Sequence, residues 1–427
     1  MEASAASKLV TLLTSAAVTT LPNHRAAAVG FAAIAMVASA CASTAADTTT
    51  TSTTVEPSTT TTATTLAETT TTAPLETVAV SAVGEYIPAE LLVALGDTLS
   101  WRVDQRNTTP PIPEGLAGPL LELDLDLPDT VVLTANVVDL EGGSVAILVG
   151  PTGDVYAAAD EGTGWQIVGV DAAKGGAWFG GEPRLVLVLG SDARPGQNQQ
   201  RYRADSVHLL AARPSDGTGT ILGFPRDSYV PSPFGSMKLS SIMSGRGPEV
   251  ITDVVGDEWD LPIEGYVVTG FKGFEGLMAS LGNLPIDLPR SIPAQPWWPA
   301  FRAGAQTLSP QRVLEYSRTR KGVPGGDFTR SGNQGVVMLA MLRLIQTSDV
   351  LAAPTFLTIL EDHAWTDLSP TAQIQLAATA FTLDPDHVEN VVLPGSLGTA
   401  GGGSVVFLGD DANAMIADLA DDGLLNR

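Results

Sequence analysis

Residues 184–194 read Arg-Leu-Val-Leu-Val-Leu-Gly-Ser-Asp-Ala-Arg. Within this stretch residues 185–189 are an unbroken apolar run that is closed by Gly190 and followed by charged residues. Such a run is typical of a buried central strand with a loop at its carboxyl end. Because ligands of open α/β sheets bind beyond the carboxyl ends of the strands, we expect Asp192 and Arg194 to lie beside a ligand. The stretch therefore predicts an α/β fold whose binding site lies at this edge of the sheet.

Two further strands carry similar charged residues at their ends. Residues 206–212 and 219–224 are apolar runs, and each has an arginine and an aspartate beside it: Arg203 with Asp205, and Arg226 with Asp227. A single pair of this kind is ordinarily a surface salt bridge that contributes little. Three such pairs at three strand boundaries indicate a shared binding site.

The distribution of arginine indicates which ligand this site binds. The chain has a formal net charge of -24, yet thirteen of its eighteen arginines lie between Arg194 and Arg343, and only five basic residues are lysines. Planar guanidinium groups suit bidentate binding of phosphate better than ammonium groups do. We therefore predict a phosphorylated ligand, specifically a diphosphate. The acidic chain excludes general nucleic-acid binding, which needs a basic face.

A second group of charged and polar residues lies further along the chain. Arg318 and Arg320 are two positions apart and would face one side of an extended segment. Arg330 and Gln334 are four apart and would share one face of the helix that the apolar run 336–345 predicts. We expect these four side chains to join the strand-end residues.

The first part of the chain predicts export and a tether. Residues 1–43 contain an uncharged apolar run after Arg25, and small residues precede the only cysteine, Cys41, as in a bacterial lipobox. Lipidation of Cys41 is the preferred interpretation, and a single membrane-spanning helix is the alternative. Both predict an extracytoplasmic protein anchored to the cell membrane. Residues 44–75 are dominated by threonine and predict a disordered linker.

Residues 76–180 predict a small β-rich accessory domain, because short apolar runs alternate with glycine-containing turns at hairpin spacing. A spacer or packing module is favoured over a surface that binds wall polymer. The acidic run Glu122-Leu-Asp-Leu-Asp-Leu predicts a strand with a solvated face rather than a metal site. Beyond residue 348, three helical patterns and two strand patterns indicate completion of one α/β domain over 183–427.

These motifs, in this order, resemble the LytR-CpsA-Psr family, also labelled cell-envelope-related transcriptional attenuators. The resemblance is strong from residue 183 to about 347 and weaker to 425. The blocks that carry it are Leu189-Gly-Ser-Asp192, Arg203-Ala-Asp205-Ser, Phe224-Pro-Arg226-Asp227, Phe271 through Leu281-Gly-Asn, Ala303-Gly-Ala-Gln-Thr-Leu308, Leu314-Glu-Tyr-Ser-Arg318-Thr-Arg320 and Gly326-Asp327-Phe-Thr-Arg330-Ser-Gly-Asn-Gln334. It implies a three-layer αβα sandwich around a mixed sheet, with an apolar tunnel for a prenyl chain.

The resemblance also implies an activity. The expected enzyme is a Mg²⁺-dependent phosphotransferase that moves a glycopolymer from a polyprenyl diphosphate carrier to peptidoglycan. Asp192 and Asp205 match the aspartates that hold magnesium in relatives, and together with Arg226 they are the expected catalytic residues. The groups that match the diphosphate-binding residues are Arg194 or Arg203, with Arg226, Arg318, Arg320, Arg330 and Gln334. Independently, magnesium usually takes one or two carboxylates plus phosphate oxygens and water, and phosphoryl transfer requires mainly positioning and charge stabilisation.

The sequence leaves two other functions open. One is hydrolysis of the prenyl diphosphate, and the other is binding of prenyl diphosphates by an envelope receptor without turnover.

The chain departs from the family pattern at Lys238-Leu239-Ser240, where Lys-Ile-Asn is common, and at Asn283, which replaces a usual glycine. Neither departure removes a proposed charge. His208 is predicted to be a strand residue rather than a base, and no serine is expected to act as a nucleophile.

Overall fold

The computed structural model describes residues 73–425. The predicted anchor over 1–43, with Cys41, and residues 44–72 of the predicted linker lie outside the described residues. The described chain contains two six-stranded sheets and the helices that cover them. The central sheet of the second part carries the candidate site, and the first sheet packs against the helices behind it.

The first sheet follows the order of the chain, and its strands coincide with the apolar runs that predict them. Its elements are β1 (Ala79–Val83), α1 (Ala89–Val103), α2 (Ala117–Glu122), β2 (Thr130–Leu140), β3 (Gly143–Val149), β4 (Val155–Asp160), β5 (Gln166–Ala172) and β6 (Gly176–Trp178). From β2 to β6 neighbouring strands are antiparallel. β1 and β2 are instead parallel, because α1 and α2 lie between them in the chain.

Two features of this first part differ from the expectation. Helix α1 was not predicted, although Leu91, Leu95 and Leu99 recur every four residues and are fully buried. The acidic run after Glu122 is not a strand: α2 ends at that residue, and the next five residues form no ladder. The alternation of apolar and acidic residues does correspond to alternating burial, because Leu123 and Leu125 are buried under the first sheet. No neighbouring strand pairs with this segment.

The second part begins with β7 (Arg184–Ser191), β8 (Ala204–Arg213), β9 (Thr218–Gly223), β10 (Tyr229–Val230), β11 (Met237–Lys238), α3 (Leu239–Ile242), α4 (Pro248–Trp259), β12 (Gly265–Gly270), α5 (Phe271–Leu281), β13 (Leu284–Leu288), β14 (Gly304–Leu308), α6 (Pro310–Ser317) and α7 (Asp327–Ile345). It continues with α8 (Ala353–Glu361), β15 (Trp365–Thr366), α9 (Pro370–Thr382), β16 (Val388–Val392), β17 (Ser396–Ala400), β18 (Gly403–Phe407) and α10 (Asp410–Asp422).

The central sheet has the strand order β15-β12-β7-β8-β9-β16. β12 runs parallel to β7 and β16 runs parallel to β9, while the β7–β8, β8–β9 and β12–β15 pairs are antiparallel. The sheet is therefore mixed, as expected. The run 184–190 forms β7 in the interior of the sheet, with β12 on one side and β8 on the other.

The alternation of side chains along β7 creates two hydrophobic layers. Leu185, Leu187 and Leu189 pack on one face, in a cluster that includes residues of α3, α4 and α10. Val186 and Val188 pack on the other face, in a cluster that includes residues of α5, α6, α7 and α9. Helices thus cover both faces of the sheet, which confirms the predicted three-layer αβα sandwich.

The first sheet is attached to the second part by buried polar contacts as well as by the shared hydrophobic cluster. The amide of Asn136 in β2 donates to the carbonyl of Leu351 at 2.7 Å, and Gln375 in α9 donates to the carbonyl of Val168 in β5 at 2.6 Å. Such hydrogen bonds satisfy polar groups that the interface removes from water. These contacts hold the first sheet against the helices α8 and α9.

An aspartate in the first sheet should make stability depend on pH. Burial, with a smaller contribution from the charge of Asp154, raises the pKa of Asp171 to about 6. Since the folded pKa lies above the unfolded value, ionising Asp171 between about pH 4 and 6 destabilises the fold. Asp171→Asn should therefore raise the free energy of unfolding at pH 7.5, and with it the urea midpoint, by about 1–2 kcal/mol in free energy after solvent screening is allowed for. At pH 4 the gain should vanish.

The control for this prediction is the exposed Asp129→Asn variant, whose urea midpoint should match that of the parent protein at both pH values. An Asp171→Asn gain that is the same at pH 4 and pH 7.5 would show that the effect comes from packing rather than from the charge of Asp171.

Within residues 73–425, no single helix is long and apolar enough to cross a membrane. Only the adjoining segments Asp327–Ile345 and Val350–Glu361 meet that criterion together, and they are bent by 114° relative to each other.

Candidate active site

A cavity of about 210 Å³ lies between the central sheet and the helices α5, α6 and α7. Its inner wall is apolar and is formed by Val188, Val267, Phe274, Leu277, Val337, Met338 and Met341. Its lining also includes charged and polar residues: Asp205, Arg318, Arg320, Arg330 and Gln334. Most ligand sites combine an apolar wall with a few placed polar groups. This combination suits a molecule with a hydrocarbon chain and an anionic head group.

The local fold explains why charged groups meet here. β7 and β12 are parallel neighbours, so both carboxyl ends, at Gly190 and Gly270, reach the cavity. Gly190 lets β8 approach closely, since a Cβ atom at this position would lie 2.8 Å from the Cβ of Ser206. The site therefore forms at the strand edge that the sequence predicts.

Asp205 occupies an irregular position in the sheet. Gly190 pairs with Ser206 and Ser191 pairs with Ala204, so Asp205 is the extra residue of a β-bulge. Bulges disrupt the ladder locally and redirect a side chain, often beside functional sites. Here the bulge places the Asp205 carboxylate in the cavity lining, within reach of arginines from two other elements.

Two arginines hold the Asp205 carboxylate. Arg226, which follows β9, donates from Nη1 to the Oδ1 atom of Asp205 in a very short contact. Arg330, in the first turn of α7, has its Nη1 atom 3.5 Å from the Oδ2 atom. The side chain of Arg330 is only 6% exposed, so it is fixed by its surroundings rather than by solvent. One carboxylate thus links β8, β9 and α7.

Asp327 is a second centre of the same ion-pair network. Its Oδ1 atom lies 3.1 Å from Nη2 of Arg330 and 3.8 Å from Nη1 of Arg320, and its Oδ2 atom lies 4.0 Å from Nε of Arg226. Asp227 completes the network through Arg226 Nε at 3.6 Å and Lys238 Nζ at 3.1 Å. The carboxylates keep several cations close together without neutralising all of them.

The electrostatics of the two inner arginines differ. Burial tends to lower the pKa of Arg226, but the charges of Asp205, Asp227 and Asp327 outweigh it and raise that pKa. Burial dominates at Arg330 and lowers its pKa, although Asp327 and Asp205 oppose this. Arginine remains charged in either case. The Nε atom of Arg226 is buried and makes no hydrogen bond, and the nearest carboxylate oxygen, Oδ1 of Asp227, lies 3.6 Å away.

The structure brings together most of the predicted site residues. Asp205, Arg318, Arg320, Arg330 and Gln334 line the cavity, and Arg226 adjoins it through Asp205. Arg330 and Gln334 lie one turn apart on α7, as predicted. Arg318 is helical at the end of α6 rather than extended, yet it lines the cavity with Arg320 and stacks 4.4 Å above the ring of Phe271.

The remaining predicted residues lie at the periphery. The Oδ1 atom of Asp192, at the end of β7, accepts the backbone N–H of Arg203 at 3.1 Å. Arg194 is exposed and lines a second, shallower groove together with Arg318 and Arg320. Arg203 is also exposed, and its side chain lines neither of these cavities. Of the two arginines left open by the sequence, Arg194 is the one that the structure places beside the cavity.

Three residues of the site have no individual role in the prediction from the sequence. Asp227 and Asp327 stand in the quoted motifs but were given no role, although Asp327 lies three residues before Arg330, at ion-pair spacing on a helix. Lys238 was noted only as part of a family departure. Nothing in the sequence shows that it reaches Asp227, because that contact depends on the pairing of β10 with β11.

His208 is a strand residue, as predicted. It is fully buried, its Nδ1 atom lies 3.0 Å from Ser206 Oγ, and its Nε2 atom lies 3.1 Å from the Ser331 carbonyl in α7. Burial lowers its pKa to about 4, so the imidazole is neutral at neutral pH. In that state Nε2 donates to the carbonyl and Nδ1 accepts from the serine hydroxyl. His208 thus joins β8 to the helix that carries Arg330.

Within residues 73–425, no group of three or more histidine, cysteine, aspartate or glutamate side chains is arranged to hold a metal ion. The carboxylates expected to hold magnesium, Asp192 and Asp205, lie at the adjoining ends of β7 and β8, and Asp205 already contacts Arg226 and Arg330. Two carboxylates suit Mg²⁺, which takes few protein ligands and completes its shell with phosphate oxygens and water. Asp192 and Asp205 are therefore the residues that would hold the ion if it binds together with a phosphorylated ligand.

Comparison with known proteins identifies relatives of this chain. The curated polyisoprenyl-teichoic acid–peptidoglycan teichoic acid transferase TagU of Enterococcus faecalis is 27% identical over 191 residues, which cover 44% of this chain and 62% of that protein. The probable cell wall biosynthesis protein LcpB of Corynebacterium glutamicum is 28% identical over 247 residues, 54% of this chain and 56% of that protein. The alignments thus span about three fifths of these relatives.

Among solved structures, TagV of B. subtilis superimposes with a TM-score of 0.49 and 21% identity, covering 56% of this chain and 95% of that one. The sequence model of the LytR_cpsA_psr family matches residues 178–419, which include every element of the site described above. Since that match extends over more than half of the chain, the protein belongs to the LytR-CpsA-Psr family.

Proposed function

We propose that this protein transfers a glycopolymer phosphate from a polyprenyl-diphosphate carrier to peptidoglycan in cell wall assembly. The observation that carries the proposal is the cavity itself, whose apolar wall leads to a lining of arginines. The apolar part is suited to the prenyl chain, because transfer of a hydrocarbon chain out of water is favourable. The guanidinium groups are suited to the diphosphate. The family relatives support the same assignment, because several are named as teichoic acid transferases.

The proposed reaction is a displacement at phosphorus. A hydroxyl oxygen of peptidoglycan forms a bond to the phosphorus that carries the glycan, and the bond from that phosphorus to the bridging oxygen breaks. Polyprenyl phosphate leaves, the hydroxyl proton passes to solvent or a nearby base, and a phosphodiester remains. Negative charge grows on the departing phosphate. Arg226, Arg320 and Arg330 are positioned to stabilise that charge, which is the main requirement of phosphoryl transfer.

In this proposal Lys238 and the aspartates hold the arginine side chains in place. Asp205, Asp227 and Asp327 keep the arginine side chains in fixed positions before the donor arrives. Fixed charges require no reorganisation when the transition state forms, so they stabilise it more effectively than mobile ones. The ion-pair network is therefore proposed to preorganise the diphosphate site.

The proposal includes Mg²⁺, held by Asp192 and Asp205. When bound, the ion would neutralise charge on the diphosphate oxygens. The arginines of the site would orient the phosphate groups. Both oxygens of Asp205 face guanidinium groups, so to bind the ion this carboxylate would have to be shared between the ion, Arg226 and Arg330. We also propose an extracytoplasmic location with a membrane anchor, on the evidence of the apolar run before Cys41.

The proposal is tested by product formation with the full chain. The assay contains Mg²⁺, a geranyl-diphosphate-linked disaccharide and peptidoglycan fragments, and mass spectrometry follows the mass of the phosphodiester conjugate. The expected result is a conjugate that forms only when the acceptor is present and that disappears when the metal is chelated. Released phosphosugar without conjugate would establish a hydrolase instead. Tight binding of the donor without turnover, in the presence of acceptor, would establish a receptor.

A further inference from the structure

A strip of partly exposed side chains extends from the ion-pair network and lines neither the cavity nor the shallower groove. We call it the hairpin strip, because its outer end lies on the hairpin β17–β18, and its members are Asp227, Lys238, Tyr229 and Phe407. The strip meets the cavity at Arg226. The Nη1 atom of this arginine contacts Asp205 in the cavity lining, while its Nε atom lies 3.6 Å from Oδ1 of Asp227.

Two short ladders fix the positions of the side chains in the strip. Tyr229 and Lys238 are directly opposed in the β10–β11 pair, so their side chains share one face. The Nζ atom of Lys238 lies 3.1 Å from Oδ2 of Asp227. The hairpin β17–β18 is joined to the same segment, because the backbone N–H of Val406 donates to the carbonyl of Asp227 at 2.9 Å. The strip is therefore anchored to the backbone of the site itself.

The outer end of the strip is aromatic. The ring centroid of Phe407 lies 5.9 Å from that of Tyr229, and the two ring planes meet at 75°. Phe407 packs over Gly398, where a Cβ atom would lie 2.5 Å from the ring, so the absence of a side chain at Gly398 makes room for it. The side chain of Phe407 is nevertheless 40% exposed. A ligand that covered the two rings would remove this apolar surface from water.

The charges of the strip compensate each other, unlike those of the cavity. One ammonium group, that of Lys238, faces one carboxylate, that of Asp227. In the cavity lining the arginines outnumber the carboxylates. A neutral ligand rich in hydroxyl groups suits the strip, because a hydroxyl can donate to a carboxylate and accept from an ammonium group. A sugar ring has such hydroxyls, and its C–H face can cover an aromatic ring.

The direction of the proposed reaction also favours this strip. In phosphoryl transfer the attacking and leaving oxygens lie roughly in line. The leaving polyprenyl phosphate extends toward the apolar wall of the cavity in the proposed function, so the attacking hydroxyl has to approach from another side. The hairpin strip reaches Arg226 from outside the cavity.

We propose that the hairpin strip binds the acceptor, a glycan strand of peptidoglycan. A sugar ring would lie against Phe407 and Tyr229, and hydroxyls of the same strand would bind Asp227 and Lys238. This inference rests on the proposed function and adds the place of the second substrate. The bonds that form and break are those of the proposed reaction, and the strip holds the attacking hydroxyl on the Arg226 side of the donor.

The test separates the two substrates of the full chain. Phe407→Ala should raise the KM for peptidoglycan fragments at least about tenfold, because it removes a contact that covers apolar surface. Tyr229→Ala should act in the same direction. In both variants kcat should stay within about twofold of the parent value, since binding is lost equally from the ground state and the transition state. Calorimetry should give an unchanged affinity for the donor, geranyl-diphosphate-linked N-acetylglucosamine.

Two further variants guard against a disturbed hairpin. Phe407→Leu keeps an apolar side chain over Gly398 but lacks the flat ring, so it should raise the same KM by a smaller factor. Leu397→Ala is the matched control, because Leu397 is 76% exposed on the same hairpin. Leu397 pairs with Val406 whereas Phe407 pairs with Ser396, so the two side chains point to opposite faces. Its acceptor KM should equal that of the parent protein.

An acceptor KM that neither Phe407→Ala nor Tyr229→Ala changes would overturn the inference. Weaker donor binding with an unchanged acceptor KM would do the same, because the strip would then belong to the donor. If the parent protein forms no conjugate with both substrates present, the proposed function fails. Calorimetry with the peptidoglycan fragments alone then decides about the strip, since an affinity that Phe407→Ala leaves unchanged contradicts it.

Discussion

Replacing Arg226 with alanine should lower the rate of conjugate formation by at least about 10³-fold, because an arginine that neutralises transferring phosphate contributes on this scale. Arg226 lies close to Asp205, Asp227 and Asp327 and is proposed to stabilise the departing phosphate. Its loss removes a cation from the site and leaves three carboxylates to repel the diphosphate. The initial rate of phosphodiester formation at saturating donor is the measurement.

Two variants control for this result. Arg226→Lys keeps the charge but loses the planar fork, so it should retain more activity than the alanine variant and still fall well below the parent protein. Arg343→Ala removes an exposed arginine that pairs with Asp386 at the surface, and its rate should match the parent rate. A rate for Arg226→Ala within tenfold of the parent would show that Arg226 has no part in the reaction.

The second large effect concerns stability. Arg330→Met should lower the free energy of unfolding by about 3–5 kcal/mol, because it removes one partner from a buried ion-pair network. The residue is only 5% exposed, and its guanidinium group lies close to both Asp205 and Asp327. Methionine fills much of the same volume without the charge. A fall in the thermal midpoint, followed by circular dichroism, is the measurement.

A second substitution separates charge from packing at this position. In Arg330→Met the Asp327 carboxylate keeps only its longer contacts with Arg320 and Arg226, so adding Asp327→Asn, which removes this weakly paired charge, should restore part of the lost stability. Conjugate formation should stay low in both variants, since the arginine is absent. If the double variant is no more stable than Arg330→Met alone, the loss arises from packing around α7 and not from an unpaired carboxylate.

Much of the fold and part of the site could be predicted from local pattern. Residues 185–189 are all apolar because β7 is buried on both faces, and hydrophobic periodicity depends only on nearby residues. The strand-end location of Asp192 and Asp205 follows from the same reasoning. The spacing of Arg330 and Gln334 on one helical face follows from the helix period alone.

Other features could not be predicted from local sequence pattern. The short ladder between β10 and β11 brings Lys238 to Asp227, and the alternation after Glu122 predicts a strand that has no partner. Helix α1 was missed because the preceding run and the turns that follow favour strands. In each case the outcome depended on which segments meet in space. Pairing between distant segments produces no periodic pattern of residue types in the local sequence.

By itself, the sequence determined the buried strand, the concentration of arginine in an acidic chain and the family. Those properties reside in residue types and their local spacing. Only the tertiary structure decided that Asp205 occupies a bulge between Arg226 and Arg330, and that Trp297 stands beside the arginines of the cavity. These contacts join residues up to 125 positions apart in the network. They exist because the packing of helices on the sheet fixes which side chains meet.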